Sequence, residues 1–278
     1  MKKIACTMMA IATLLSCSTQ KADTDKDDFN YSVERFADLE VLRYKVPGFE
    51  DLSLKQKELV YYLTEAALNG RDILFDQQGK LNLAIRRTLE SVYQNYTGDK
   101  NDPEFKALEV YLKQVWFSNG IHHHYSTDKF TPGFSESFFT EAVKSVDPST
   151  LPVKEGQSVD NLLSDIVPVI FNPELLKKRV NQTEGEDLIL TSAGNYYDGV
   201  TQVEVENFYN KMKDPNDTMP ISYGLNSRLV KKDGKIIEET YKIGGLYTQA
   251  LEKIVYWLEK AATVAENDQQ KAVIEKLI

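Results

Sequence analysis

Residues 102–126 read Asp102-Pro103-Glu104-Phe105-Lys106-Ala107-Leu108-Glu109-Val110-Tyr111-Leu112-Lys113-Gln114-Val115-Trp116-Phe117-Ser118-Asn119-Gly120-Ile121-His122-His123-His124-Tyr125-Ser126. Asp102 and Pro103 have the form of an N-cap and first helical residue. Phe105, Leu108, Leu112 and Val115 then recur at helical spacing, so the stretch predicts an amphipathic helix feeding a polar histidine loop. The same signature repeats on both sides. Ser53-x-x-Gln56 is a capping box, followed by Leu59, Leu63, Ala66 and Ala67 before Gly70. Leu81, Ile85, Leu89, Val92 and Tyr96 form another stripe, closed by Gly98. Further helices are predicted near 135–146, 158–167 and 173–179, after the capping box Thr201-x-x-Glu204, over about 246–265, and from Asn267-x-x-Gln270. Strands are fewer: Leu39–Val46, the short run Leu188–Leu190, and Leu225–Lys232 with Lys235–Ile243. The last two flank Asp233-Gly234, a two-residue hairpin signal because a type I′ turn needs positive φ. There is no internal repeat and no Gly/Ser- or Pro-rich linker after residue 31. The reading is α+β, helix-dominated, with residues 32–278 as one continuous lobe.

The chemistry available to that lobe is narrow. The chain has 278 residues but only three histidines and two cysteines. The histidines are contiguous, so adjacent rings diverge by about 100° on a helix and alternate faces on a strand. At most His122 and His124 share a metal on a strand, whereas a catalytic zinc takes three protein ligands. Residues 119–126 thus read as a polar loop with one or two packed imidazoles, as a substrate-lining loop, or as a metal site. No His-Glu-x-x-His spacing, Gly-x-Ser-x-Gly elbow, P-loop or Gly-x-Gly-x-x-Gly occurs. Paired carboxylates remain open, because spacing in sequence says little about spacing in space. Tyr196-Tyr197-Asp198-Gly199 is an aromatic turn that either packs or lines a cleft. The formal charge of −9 argues against nucleic-acid binding, which depends on Lys and Arg neutralising phosphates.

The first residues read as an address. Lys2 and Lys3 precede an uncharged run, Ile4–Leu15, too short to span a bilayer, which takes roughly 20 apolar residues. Leu14-Leu15-Ser16-Cys17 resembles the lipobox of bacterial lipoproteins, which implies cleavage before Cys17, acylation of its thiol, and a lipid-anchored protein of the bacterial envelope. Residues 1–16 are then the signal peptide and 17–31 an acidic tether. Cys6 leaves with the signal and Cys17 carries the lipid, so no thiol remains for a disulfide, zinc or a nucleophile. Asp23-x-Asp25-x-Asp27 superficially matches a calcium loop, but Asp28 stands where that loop needs Gly. At the other end, Val273, Ile274 and Leu277 form an apolar stripe that runs to Ile278 without a Gly or Asn cap. Either this helix docks tightly into the lobe or the sequence continues; continuation is the expectation taken.

Several stretches resemble the N-terminal lobe of bacterial dipeptidyl peptidase III: Phe36–Phe49, Ala66–Ile73, Val115–Ser126, Asn195–Val200, Tyr223–Leu229 and Gly244–Tyr247. That resemblance implies the lower lobe of a two-lobed zinc exopeptidase, with a small antiparallel β-barrel or hairpin element that helps bind an oligopeptide. The family releases dipeptides from oligopeptide N-termini. Its zinc ligands and general base come from His-Glu-x-x-Gly-His and a downstream Glu, which are absent from these residues. Its transition-state Tyr and the groups holding the substrate's free amine are likewise expected beyond Ile278. The chain is therefore expected to hold no zinc or other cofactor, to have no catalytic residues, to be inactive without the zinc lobe, and to behave as a poorly monodisperse sample. Asn119, His122, His124, Tyr125, Tyr196 and Tyr197 are the substrate-cleft candidates, with no metal ligands. The competing reading is a non-catalytic surface lipoprotein that binds peptides or glycans in the same cleft.

Overall fold

The computed structural model describes residues 29–278. The expected signal peptide, the expected lipidation site Cys17, the calcium-like aspartates and most of the expected tether lie outside the described residues. The chain separates into two units, one reaching to Arg35 and including Leu39–Val46, the other Phe36–Asp38 with Pro47–Ile278.

Strands β1 (Ser32–Phe36), in the first unit but for its last residue, and β2 (Leu39–Leu42) pair. Glu40 accepts from Ser32 Oγ at 2.6 Å and from Arg35 Nη2 at 2.7 Å, and these two bonds lower its pKa. Arg43 lies 4.7 Å above the Phe29 ring and donates its backbone N–H to Tyr31 O. The strand expected over Leu39–Val46 thus stops at Leu42. Its partner β1 went unpredicted.

The second unit is helical for most of its length. Its helices are α1 (Leu54–Asn69), α2 (Arg71–Gln78), α3 (Asn82–Asn95), α4 (Pro103–Ser118), α5 (Glu136–Ser145), α6 (Val159–Phe171), α7 (Leu188–Thr191), α8 (Gln202–Asn210), α9 (Thr248–Thr263) and α10 (Asp268–Leu277). Both expected capping boxes form: Ser53 with Gln56, and Thr201 with Glu204. Asp102 caps α4 through Glu104 N, with Pro103 in the first turn. The periodic residues of α3 and α4 are the ones buried. Ile85, Leu89, Val92, Leu108, Leu112 and Val115 have no exposed surface and pack with residues of α2, α5 and α6 in the principal core. A second cluster joins Leu59 and Ala66 of α1 to Leu258 and Ala261 of α9 and Ile274 of α10.

Strands β3 (Tyr197–Asp198), β4 (Ser227–Lys232) and β5 (Lys235–Thr240) form one sheet in that order. β3 runs parallel to β4, and β4 antiparallel to β5 with Lys232 opposite Lys235. Asp233 and Gly234, at φ 50° and 74°, make the expected hairpin turn. Val200, Val205 and Leu229 form the small core on which this sheet rests. The architecture is helix-dominated α+β with a hairpin; among the described residues the strands do not close into a barrel.

α1 ends before Gly70 as expected, but at φ −81° and ψ −11° Gly70 stays right-handed and the chain enters α2 at once. Two local expectations are corrected. Leu188–Leu190 is a helical turn, not a strand, because Asp187 Oδ1 accepts from the N–H groups of Ile189 and Leu190, both at 2.9 Å. Residues 173–179 are not helical. Leu176 sits at φ 51°, and Lys178 instead makes bridges to Asp128 and Ser192.

Candidate functional site

The histidine loop begins where α4 ends. Asn119 is the left-handed cap of α4, at φ 54°, one of the few non-glycine residues that tolerate that conformation. Gly120 follows because a Cβ there would collide with the Asn82 side chain, whose Oδ1 accepts from Ile121 N. His122 then turns inward. It is 2% exposed, and its Nε2 lies 2.7 Å from Leu176 O, so that nitrogen carries the proton. Burial lowers its pKa to about 4, aided by the Lys129 and Arg179 charges and opposed by the Leu176 bond.

His123 and His124 stay near the surface. His123 Nδ1 accepts from the N–H groups of Tyr125 and Ser126 at 3.2 and 3.1 Å. The His124 ring stacks 4.4 Å from His123, lies tilted 4.3 Å from Tyr125 and meets Phe117 edge-on at 5.0 Å. Desolvation and the neighbouring His123 lower its pKa. Tyr125 is 85% exposed. The three rings are thus committed to three separate tasks, and the described residues contain no group of three or more His, Cys, Asp or Glu able to hold a metal ion. A zinc ion of the kind the family resemblance implies does not fit the residues described here.

Tyr196 and Tyr197 lie elsewhere, in the wall of a cavity of about 420 Å³. Val180, Leu188 and Ile189 supply its apolar lining, and Gln78, Arg179 and Ser192 its polar groups. The misread turn α7 is what brings Leu188 and Ile189 to this wall. Arg179 connects the two regions: it donates to Gln78 Oε1 at 2.9 Å and to the His124 carbonyl at 3.3 Å. Of the six residues singled out from sequence, Tyr196 and Tyr197 share the cavity and His124 reaches its rim through Arg179. Asn119 serves as a helix cap, His122 as an interior strut, and Tyr125 faces solvent.

Beside Tyr196 runs a network that sequence reasoning did not assemble. Asp76 Oδ2 accepts from Tyr247 Oη at 2.7 Å and from Asn195 Nδ2 at 3.1 Å. Arg228 donates from Nη1 to Asn195 Oδ1 at 3.3 Å and from Nη2 to Glu239 at 2.7 Å. Burial works to lower the Arg228 pKa, but the Glu239 bond together with the charges of Glu239 and Asp76 outweighs it and the pKa rises. Desolvation and Asp76 raise the Tyr247 pKa far above the phenol range, and desolvation pushes Tyr241, 5.1 Å from that ring, to about 12. Tyr247 sits at φ 67°, a strained conformation for an aromatic residue, held by its bond to Asp76. Both phenols are held neutral, Tyr247 donating to Asp76 and the Tyr241 hydroxyl buried, so this arrangement does not present an activated nucleophile.

No family profile matches the chain. No curated protein matches it either. Among solved structures, that of DPP III from Caldithrix abyssi is similar, with a TM-score of 0.48 and 18% identity over 84% of this chain. The likeness covers 31% of the other protein, so this chain spans under a third of its length.

Proposed function

We propose that this chain is a peptide-binding lobe of a dipeptidyl peptidase III-like zinc exopeptidase, and that these residues bind an oligopeptide without cleaving it. The observation that supports the reading is the cavity walled by Tyr196, Tyr197, Leu188 and Ile189, with Arg179 and Gln78 at its polar side. Its volume of about 420 Å³ falls in the range of small-ligand sites and suits one or two side chains of a peptide. Apolar and aromatic walls supply the contact area, while the guanidinium and amide offer donors for peptide carbonyls. The zinc and its general base belong to a separate lobe in this reading, and hydrolysis requires both. The protein is anchored to the bacterial envelope through acylated Cys17.

The test is titration of the soluble chain (Cys17→Ser) with a tetrapeptide by calorimetry, alongside zinc analysis and dipeptidyl-arylamide turnover. Saturable binding that weakens by about tenfold in Tyr197→Ala, without turnover, is expected. Absence of peptide binding overturns the binding role, and turnover with stoichiometric zinc overturns the inactivity. A chain that binds saccharides in place of peptides would favour the surface-lipoprotein reading.

A further inference from the structure

A second cavity, of about 710 Å³, opens where the first turns of α2 and α9 meet. Its walls carry four cations, Arg71, Arg87, Arg228 and Lys253, against two carboxylates, Asp72 and Asp76, in a chain whose formal charge is −9. A local excess of positive charge on so acidic a protein needs a counter-charge.

The internal pairings do not supply one. Asp72 is divided between Arg86 and Arg87, at 2.8 and 2.7 Å. Those two bonds overcome the desolvation penalty and hold its pKa low, so it stays an anion already engaged. Asp76 is filled by Tyr247 and Asn195, and Arg228 is committed to Glu239. Arg71 and Lys253 are left: among the described residues neither has an ion pair or a hydrogen bond from its side chain. Gln249 lines the same cavity with its amide also uncommitted.

The backbone adds to the same field. Neither α2 nor α9 has a side-chain cap, so their first-turn N–H groups keep the positive end of each helix at this cavity. Asn69, Gln249 and Lys253 also line an adjoining cavity of about 370 Å³, together with Tyr256, Trp257 and one carboxylate, Glu252. The ring edges there provide a surface for the organic part of a ligand.

We propose that this groove is an oxyanion-binding site, in which Arg71 and Lys253 take the phosphate or carboxylate group of a small ring-bearing molecule. The Arg fork matches either oxyanion with two parallel bonds, and Lys253 adds a point charge. The site is separate from the Tyr196–Tyr197 cavity, so its ligand need not be the peptide.

The experiment is calorimetric titration of the full soluble chain with phenyl phosphate and, separately, with benzoate, at ionic strength matched by sodium chloride. Saturable binding of phenyl phosphate identifies a phosphate ligand, and of benzoate alone a carboxylate ligand. In either case Arg71→Gln and Lys253→Gln should each weaken binding about tenfold, while Lys106→Gln on α4 should leave it unchanged. Arg71 and Lys253 are exposed, and circular dichroism of the variants confirms that they fold. The proposal is overturned if neither probe binds beyond the salt control, or if binding survives both substitutions undiminished.

Discussion

His122 shows how a residue chosen for its chemistry is turned to structural use. Its imidazole is buried and neutral, donating from Nε2 to Leu176 O, with its other nitrogen unpartnered inside the protein. The unfolded chain binds a proton at this site with a pKa near 6.5, whereas the folded chain does so only at about 4. Stability is therefore complete above pH 6.5 and falls as the pH drops toward 4, because unfolding then takes up a proton. The full effect is on the order of 3 kcal/mol. Urea midpoints measured between pH 7 and pH 4 should show this decline, and His122→Gln, which keeps a donor for Leu176 O, should flatten it. An unchanged slope in the variant would place the acid sensitivity on other groups.

At the scale of elements, the helices that sequence revealed are those whose evidence is local. A capping box spans four residues and an apolar stripe repeats within one turn, so Ser53, Asp102 and Thr201 announce α1, α4 and α8 without knowledge of any partner. The misread segments are those decided by distant contacts. α2, which follows Gly70 directly, went unpredicted: its one buried residue, Phe75, is held by the main core. β1 went unseen because the Phe36–Asp38 link contains no glycine, with Ala37 itself at φ 48°. Residues 173–179 have helical periodicity, but Lys129 gathers the end of α6 and the chain after it: its Nζ donates to the carbonyls of Val169, Asn172 and Leu175 at 2.9, 2.5 and 2.6 Å. This cation neutralises the negative end of α6 and fixes the following loop. Lys129→Met should cost about 2 kcal/mol, read as a lower urea midpoint with unchanged m-value. A loss below about 0.5 kcal/mol would mean that water replaces the three bonds.

For the whole molecule, the cores are built by helices that meet far along the chain. α1 packs on α9 and α9 on α10, so one cluster joins the beginning of the main unit to its end. Leu89, fully enclosed in the larger core, should cost about 3–4 kcal/mol when replaced by Ala, measured by chemical unfolding. A value near 1 kcal/mol would show that the site collapses around the cavity. At the same scale belongs the proposed envelope anchor. Growth with an alkyne fatty acid should label the wild-type protein and move it to the membrane fraction, and Cys17→Ala should abolish both. Labelling that survives the substitution would overturn the lipoprotein assignment.

Composition and periodicity by themselves determined the helix-dominated α+β class, most helix starts, the Asp233-Gly234 turn and the poverty of His and Cys chemistry. Each depends on residues a few positions apart. They left Tyr196 and Tyr197 open between packing and lining a cleft, and the fold places both in a cavity wall. Tertiary structure alone decided what surrounds them. Asp76 meets Asn195 and Tyr247 from 119 and 171 residues away, and Arg179 reaches both Gln78 and His124. Sites of this kind are made by the convergence of separate elements, whose partners are chosen by packing and burial and leave no spacing in the sequence to read.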